Sequence, residues 1–172
     1  LLGAPPDQTV VPWEQATIGG LALMRVLDEP AIRRLAARVA PREKFTTIYS
    51  GVEVEPFLES HRLRDEVRRR LGYGPQHVVI VKIARLFHLK GHGYLIKVAQ
   101  SLVARDPRAR FLIVGDGILR AEYEARVKAL GLADKFVFTG LVRPEEVPAL
   151  MQAMDVLVHT SHREGLARVI PQ

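Results

Sequence analysis

No cysteine occurs in the 172 residues, so neither a disulfide nor a cysteine-ligated metal can take part in stability or chemistry. That composition is compatible with the cytoplasm, where the protein is expected. Long apolar runs are also missing. The longest near the start, Ala16 to Met24, is too short to span a bilayer. No basic segment precedes it, so it does not read as a signal peptide. Aromatic residues make up 6% of the chain and none interleaves with the arginines of the basic face at 62–70, which argues against a nucleic-acid partner. The GxGxxG fingerprint is absent as well. Gly115-Asp116-Gly117 lacks the third glycine, which counts against a dinucleotide dehydrogenase.

Positive charge is plentiful. Lys and Arg number 25 against 19 Asp and Glu, a formal net charge of +6 that suits anionic partners such as nucleotides or an acidic membrane surface. Apolar residues make up 48%, enough for a sizeable core, and the length fits one domain or one domain with an appendage. The chain begins with Leu rather than Met, as a piece of a longer protein would.

Residues 1–43 read as a poorly defined segment or an interdomain remnant, broken by Pro5, Pro6, Pro12, Gly19 and Gly20. Ala31 to Val39 suits a short helix ended by Pro41, Phe45 to Tyr49 a short strand, and Ser50-Gly51 a turn. Ser60 to Leu71 reads as a helix with Leu63, Val67 and Leu71 as its apolar stripe. Its other face carries Arg62, Arg64, Arg68, Arg69 and Arg70 and reads as solvated.

From Val78 the pattern becomes regular. Strand 78–83 leads to helix 91–104 with Leu95, Val98, Ala99, Leu102 and Val103 at helical spacing. Strand 110–114 leads to helix 118–130 with its stripe at Leu119, Tyr123, Val127 and Leu130. Strand 135–138 leads to helix 144–154 with Val147, Leu150, Met151 and Met154. Strand 155–158 leads to a new helix start near Gly165. Strands alternating with helices predict a doubly wound, Rossmann-like α/β domain over 44–172, with a parallel sheet and helices on both faces. About six strands are usual in such a fold and four are visible, so the domain reads as incomplete at its C-terminus.

Ligands of open α/β sheets bind outside the carboxyl ends of the strands. Arg85 and Lys90 follow the first strand, Gly115-Asp116-Gly117 the second, Thr139-Gly140-Leu141 the third, and His159 to Gly165 the fourth. Two cations with helix-start amides at Gly165 suit a diphosphate. Glu164 would repel a phosphate, yet can accept hydrogen bonds from a sugar hydroxyl. The rim therefore reads as a nucleotide-sugar site. For Gly115-Asp116-Gly117, a tight turn with Asp116 as helix N-cap is the simpler role. His88, His92, His159 and His162 lack the carboxylate or cysteine of a convincing metal set and read as core or supporting histidines.

The ordered segments KIARLFHLKGHGYLI, FLIVGDGILR, FVFTGLV and MDVLVHTSHREGLARVIPQ resemble the nucleotide-binding, C-terminal half of family-four retaining glycosyltransferases of the GT-B fold. The resemblance covers about residues 44 to 172. It implies that Arg85 and Lys90 bind the donor diphosphate. It implies that Glu164 contacts the donor sugar, and that the amides of Gly165, Leu166 and Ala167 hold sugar and phosphate. The glycine-bearing loops with Gly115, Gly117, Gly140 and Leu141 complete the donor site. Gln172 stands where the family has a ribose-binding glutamate, and Ala84 where it often has glycine. No obligatory metal or other cofactor is implied. A GT-B enzyme also needs an acceptor-binding domain, which residues 1–43 do not resemble, so this chain alone is expected to be inactive. The partners expected are a nucleotide-sugar donor and that missing domain, with peripheral association at an acidic membrane surface also open. A non-catalytic nucleotide-sugar or phosphate-binding module and a GT-B-type sugar-nucleotide epimerase remain alternatives.

Overall fold

A computed structural model of the chain describes residues 16–18, 21–23, 53–164 and 167–170. The chain divides into two compact units, residues 1–52 with 164–171, and residues 53–163 with 172. In the first, β1 (Ala16–Ile18) pairs antiparallel with β2 (Leu21–Leu23), Ala16 opposite Leu23. The sequence reading offered no strands here. Its helix at 31–39, strand at 45–49 and turn at 50–51 lie outside the described residues.

The second unit holds the sheet. Its elements are α1 (Glu55–Glu59), a 3-10 turn (Ser60–Leu63), α2 (Arg64–Arg70), β3 (Val78–Ile83), α3 (His92–Arg105), β4 (Ala109–Val114), α4 (Arg120–Ala129), β5 (Phe136–Gly140), α5 (Val147–Gln152) and β6 (Val156–Leu157). Four strands run in the order β5-β4-β3-β6, every neighbouring pair parallel. The β3–β4 ladder is the longest, from Val78 opposite Ala109 to Ile83 opposite Val114. The expected Rossmann-like sheet is present, with 78–83 in its interior.

The alternation of side chains along β3 explains why this run must lie inside. Val79 and Val81 face one core with Val67 of α2 and Leu150 of α5. Ile80 faces the other, with Leu95, Ile96 and Ala99 of α3 and Tyr123 and Val127 of α4. Helices thus cover both faces. Each fully buried aliphatic side chain contributes roughly 1.5–3 kcal/mol of transfer free energy, so a strand apolar on both faces gains most between two helical layers. Phe111 stacks on Phe136 with centroids 4.4 Å apart, fixing β4 against β5 on the α3–α4 face.

Three local expectations are corrected. Val98 is 47% exposed; Ile96, buried instead, takes its place on the inner stripe of α3. The helix expected over 144–154 is a 3-10 turn at Pro144–Glu146 followed by a short α-helix. The arginine-rich face of α2 is not wholly solvated. Arg68 is buried, and its Nη1 donates to Ala153 O (3.2 Å) and Asp155 Oδ2 (3.1 Å). Its Nη2 donates to Gly74 O (3.2 Å) and to His77 O. Arg64 Nη1 donates to Gln152 O (2.8 Å) and Met154 O (2.7 Å), and its Nη2 to Asp155. Asp155 Oδ2 also accepts the Val79 amide at 2.8 Å. Burial pushes the Asp155 carboxyl up, but the Val79 amide and the two guanidinium groups outweigh it and hold it below the usual carboxylate range. This cluster closes the amino ends of β3 and β6.

Candidate functional site at the carboxyl rim of the sheet

All four strands being parallel, their carboxyl ends share one rim, and the four loops that leave them are stitched to one another. Leu86 N donates to Asp116 O (2.8 Å) and Leu119 N to Leu86 O (3.2 Å), joining the loops after β3 and β4. Gly115 N donates to Gly140 O (3.1 Å), joining those after β4 and β5. His162 N donates to Leu89 O (2.9 Å) and Thr160 Oγ1 to Gly91 O (2.8 Å), joining those after β6 and β3. The rim is thus a fixed backbone platform.

Two glycines are needed for that stitching. A Cβ on Gly115, whose φ is +132°, would sit 2.3 Å from Ala84 O. A Cβ on Gly91, with φ of +66°, would sit 2.0 Å from Thr160 O. Only glycine fits where backbones come this close with left-handed geometry.

The β3 loop carries the two cations. Arg85 is exposed, and among the described residues no ion pair engages it. Lys90 ends a 3-10 turn, His88–Lys90, and is half-buried just before Gly91, the left-handed residue that starts α3. Gly140 and Leu141 leave β5, Leu141 being 86% exposed. Asp116 does not cap α4: that helix has no side-chain cap, and Asp116 instead accepts from Gly117 N (2.7 Å) and Arg120 Nη1 (3.3 Å). Glu164, exposed, and Ala167 belong to the first unit, while Gly165, Leu166 and Gln172 lie outside the described residues, as does the helix start expected near Gly165.

Under the platform lies a residue that reading the sequence as an apolar run passed over. Lys82 of β3 is 1% exposed, and its Nζ donates to Thr160 Oγ1 at 3.0 Å. A lysine inside the strand VVIVKI, on a face that must be buried, was the available signal. Beside it His92 is also 1% exposed, and neither ring nitrogen makes a hydrogen bond of good geometry, the Ala84 carbonyl being the acceptor that comes near. Burial first, then the Lys82 charge, push the His92 imidazole down to about 4, against a pull upward from the Ala84 carbonyl. His92 packs on Tyr123 with ring centroids 5.8 Å apart, as a core histidine does. Among the described residues no group of three or more His, Asp or Glu side chains is placed to hold a metal ion.

The family model for glycosyl transferases group 1 matches residues 64–171. The 2-deoxystreptamine glucosyltransferase of Streptomyces kanamyceticus is 39% identical over 104 residues, covering 59% of this chain and 27% of that protein. Among solved structures, WaaG, a glycosyltransferase involved in lipopolysaccharide biosynthesis, superposes with a TM-score of 0.70 at 22% identity over 92% of this chain and 42% of that one. Anabaena HepE, solved with UDP and glucose, superposes with a TM-score of 0.63 at 24% identity over 80% of this chain and 38% of that one. The two structures share the fold with this chain, which spans less than half the length of each of the three proteins.

Proposed function

The chain belongs to the glycosyl transferases group 1 family, and we propose that it carries the donor-binding part of an enzyme that moves a sugar from a nucleotide sugar to an acceptor with retention at the anomeric carbon. The observation that carries this reading is the placement of Arg85 and Lys90 in one loop at the carboxyl rim, on a backbone fixed by the loops after β4 and β6. Support comes from Anabaena HepE, whose solved complex holds UDP and glucose.

In the reaction the bond between the anomeric carbon and the phosphate oxygen breaks, and negative charge collects on the departing nucleoside diphosphate. Arg85 and Lys90 meet that charge; the family resemblance alone assigns the amides of Gly165, Leu166 and Ala167 to the sugar and phosphate. Cations already in place cost no reorganisation at the moment of bond breaking, so they favour the transition state over the ground state. That role requires no metal. The loops with Gly115, Gly117, Gly140 and Leu141 border the nucleotide. Glu164 follows directly on the β6 loop and takes hydrogen bonds from the donor sugar, orienting its anomeric carbon. Gln172 accepts or donates to the ribose, whose charge does not change. Residues 44–172 form the donor domain, and the acceptor domain comes from elsewhere in a longer protein, so the isolated chain binds donor without turning it over. The site of action is the cytoplasm, and the net charge of +6 favours an acidic membrane surface there.

The test is nuclear magnetic resonance of the product made by the full-length protein from a panel of nucleotide sugars. A glycoside with the donor's anomeric configuration supports the reading; an inverted product, or epimerised donor without transfer, contradicts it. Glu164→Gln lowers kcat by about ten- to a thousandfold, the scale of one preorganised polar interaction, whereas Gln172→Ala mainly raises the donor KM.

A further inference from the structure

A lysine is a poor choice inside a parallel strand. Its β-propensity is low, and withdrawing an ammonium from water costs several kcal/mol even after relaxation. Lys82 nevertheless sits on the α3 face of β3, opposite Ile113 of β4 and on the same side as Ile80. An aliphatic residue would fit that core at less cost. The cost falls directly beneath the loop that carries Arg85 and Lys90.

The hydrogen bonds give the ammonium a use. Thr160 Oγ1 accepts from Lys82 Nζ at 3.0 Å and donates its one proton to Gly91 O at 2.8 Å. Thr160 lies in the loop after β6, and Gly91 is the residue after Lys90. The ammonium therefore fixes the direction in which the threonine hydroxyl donates. A hydroxyl that accepts from a charged donor cannot point its proton back at that donor, and the Gly91 carbonyl is the acceptor within reach. Two residues further on, the His162 amide donates to Leu89 O at 2.9 Å, so the same two loops are pinned on either side of Lys90.

We propose that Lys82 is a positioning residue of the donor site, its buried ammonium locking Thr160 onto the Gly91 carbonyl so that Lys90 and the loop after β6 keep one geometry around the diphosphate. This rests on the donor-site reading above. It adds a residue that touches no substrate and acts through Thr160.

The experiment compares full-length wild-type protein with Lys82→Met, Thr160→Val, the double variant and Thr160→Ser. Uridine, guanosine and adenosine diphosphates are titrated calorimetrically, thermal midpoints are recorded, and amide exchange is followed at 88–92 and 159–163. Lys82→Met should weaken the preferred diphosphate about tenfold, the scale of one hydrogen bond to a charged group. Its thermal midpoint should hold or rise, since apolar replacement of a buried charge is often neutral or stabilising. Exchange at His162 should quicken. Thr160→Val should match that loss, the double variant should lose no more than either single one, and Thr160→Ser should restore the affinity. A lower midpoint with unchanged affinity, or additive losses in the double variant, would overturn the positioning role while leaving the donor site intact. If wild-type protein binds none of the three diphosphates, the donor-site reading fails first, and the proposal with it.

Discussion

At the amino ends of β3 and β6, Arg64 and Arg68 direct their guanidinium groups at the carbonyls of Gln152, Ala153, Met154, Gly74 and His77 and at the Asp155 carboxylate. At the carboxyl ends of the same sheet, Arg85 stands exposed with no ion pair among the described residues. Both places are basic and both are arginine-led. One has the terminal nitrogens of its guanidinium groups bonded by the fold, and the other presents its guanidinium to solvent. Counting charge along the sequence does not separate the two. What separates them is whether backbone carbonyls and a carboxylate come within reach, which depends on where α2 and α5 pack.

That contrast can be broken most forcefully at Arg68. Arg68→Ala leaves the Asp155 carboxylate and several carbonyls short of donors, and should cost about 3–5 kcal/mol of unfolding free energy, the scale for removing one partner of a buried pair. Urea denaturation measures it, and diphosphate affinity of the protein that remains folded should not change.

Acid sharpens the comparison next. The His92 imidazole, at the carboxyl rim, is pushed from 6.5 to about 4 in the native state. Between those values the unfolded chain binds a proton that the native ring does not, so stability falls as pH falls through that window, by up to about 3 kcal/mol. Asp155, at the amino rim, runs lower. Its carboxyl is depressed, so its stabilising contribution is complete above the ordinary value of 3.8 and is lost only as pH falls below it. Denaturation midpoints taken across about pH 3 to 7 should fall in both windows, and His92→Leu should shrink the upper loss, to which the lowered His77 imidazole also contributes, while leaving the lower one in place.

A smaller effect is expected at Arg85. Arg85→Ala should weaken nucleoside diphosphate binding about tenfold, the scale of one charge-assisted hydrogen bond. Its unfolding free energy should move by less than about 0.5 kcal/mol, as for surface positions generally. The smallest effect belongs to Arg69, exposed on the outer face of α2. Arg69→Ala should change neither stability nor affinity beyond that same surface range, about 0.5 kcal/mol. A large loss of affinity there would mean that the basic face of α2 reaches a ligand after all.

The sheet was legible because its signals are local. VVIVKI, RFLIV and KFVF are short apolar runs followed by amphipathic helices, and the strands appear at Val78–Ile83, Ala109–Val114 and Phe136–Gly140. The loop positions of Arg85 and Lys90 follow from the same pattern. What escaped depends on partners distant in sequence. Arg68 reads as one of five arginines on a solvated face until Ala153 and Asp155 are brought to it, 85 and 87 residues on. Lys82 reads as one letter in an apolar run until Thr160, 78 residues away, gives its ammonium an acceptor. Asp116 reads as a helix cap, yet the Gly117 amide and Arg120 engage its carboxylate first. The short β1–β2 pair has three residues in each strand, too few to show an alternation.

The central claim is that the carboxyl rim, and not the amino rim, is the anion site. Isothermal titration of the full-length protein with its preferred nucleoside diphosphate, in wild type and in the Arg85→Ala/Lys90→Ala double variant, tests it most directly. The account predicts saturable binding by wild type and an affinity about a hundredfold weaker in the double variant, the scale of two charge-assisted hydrogen bonds, with the denaturation midpoint retained. Equal affinity in the two proteins would contradict it.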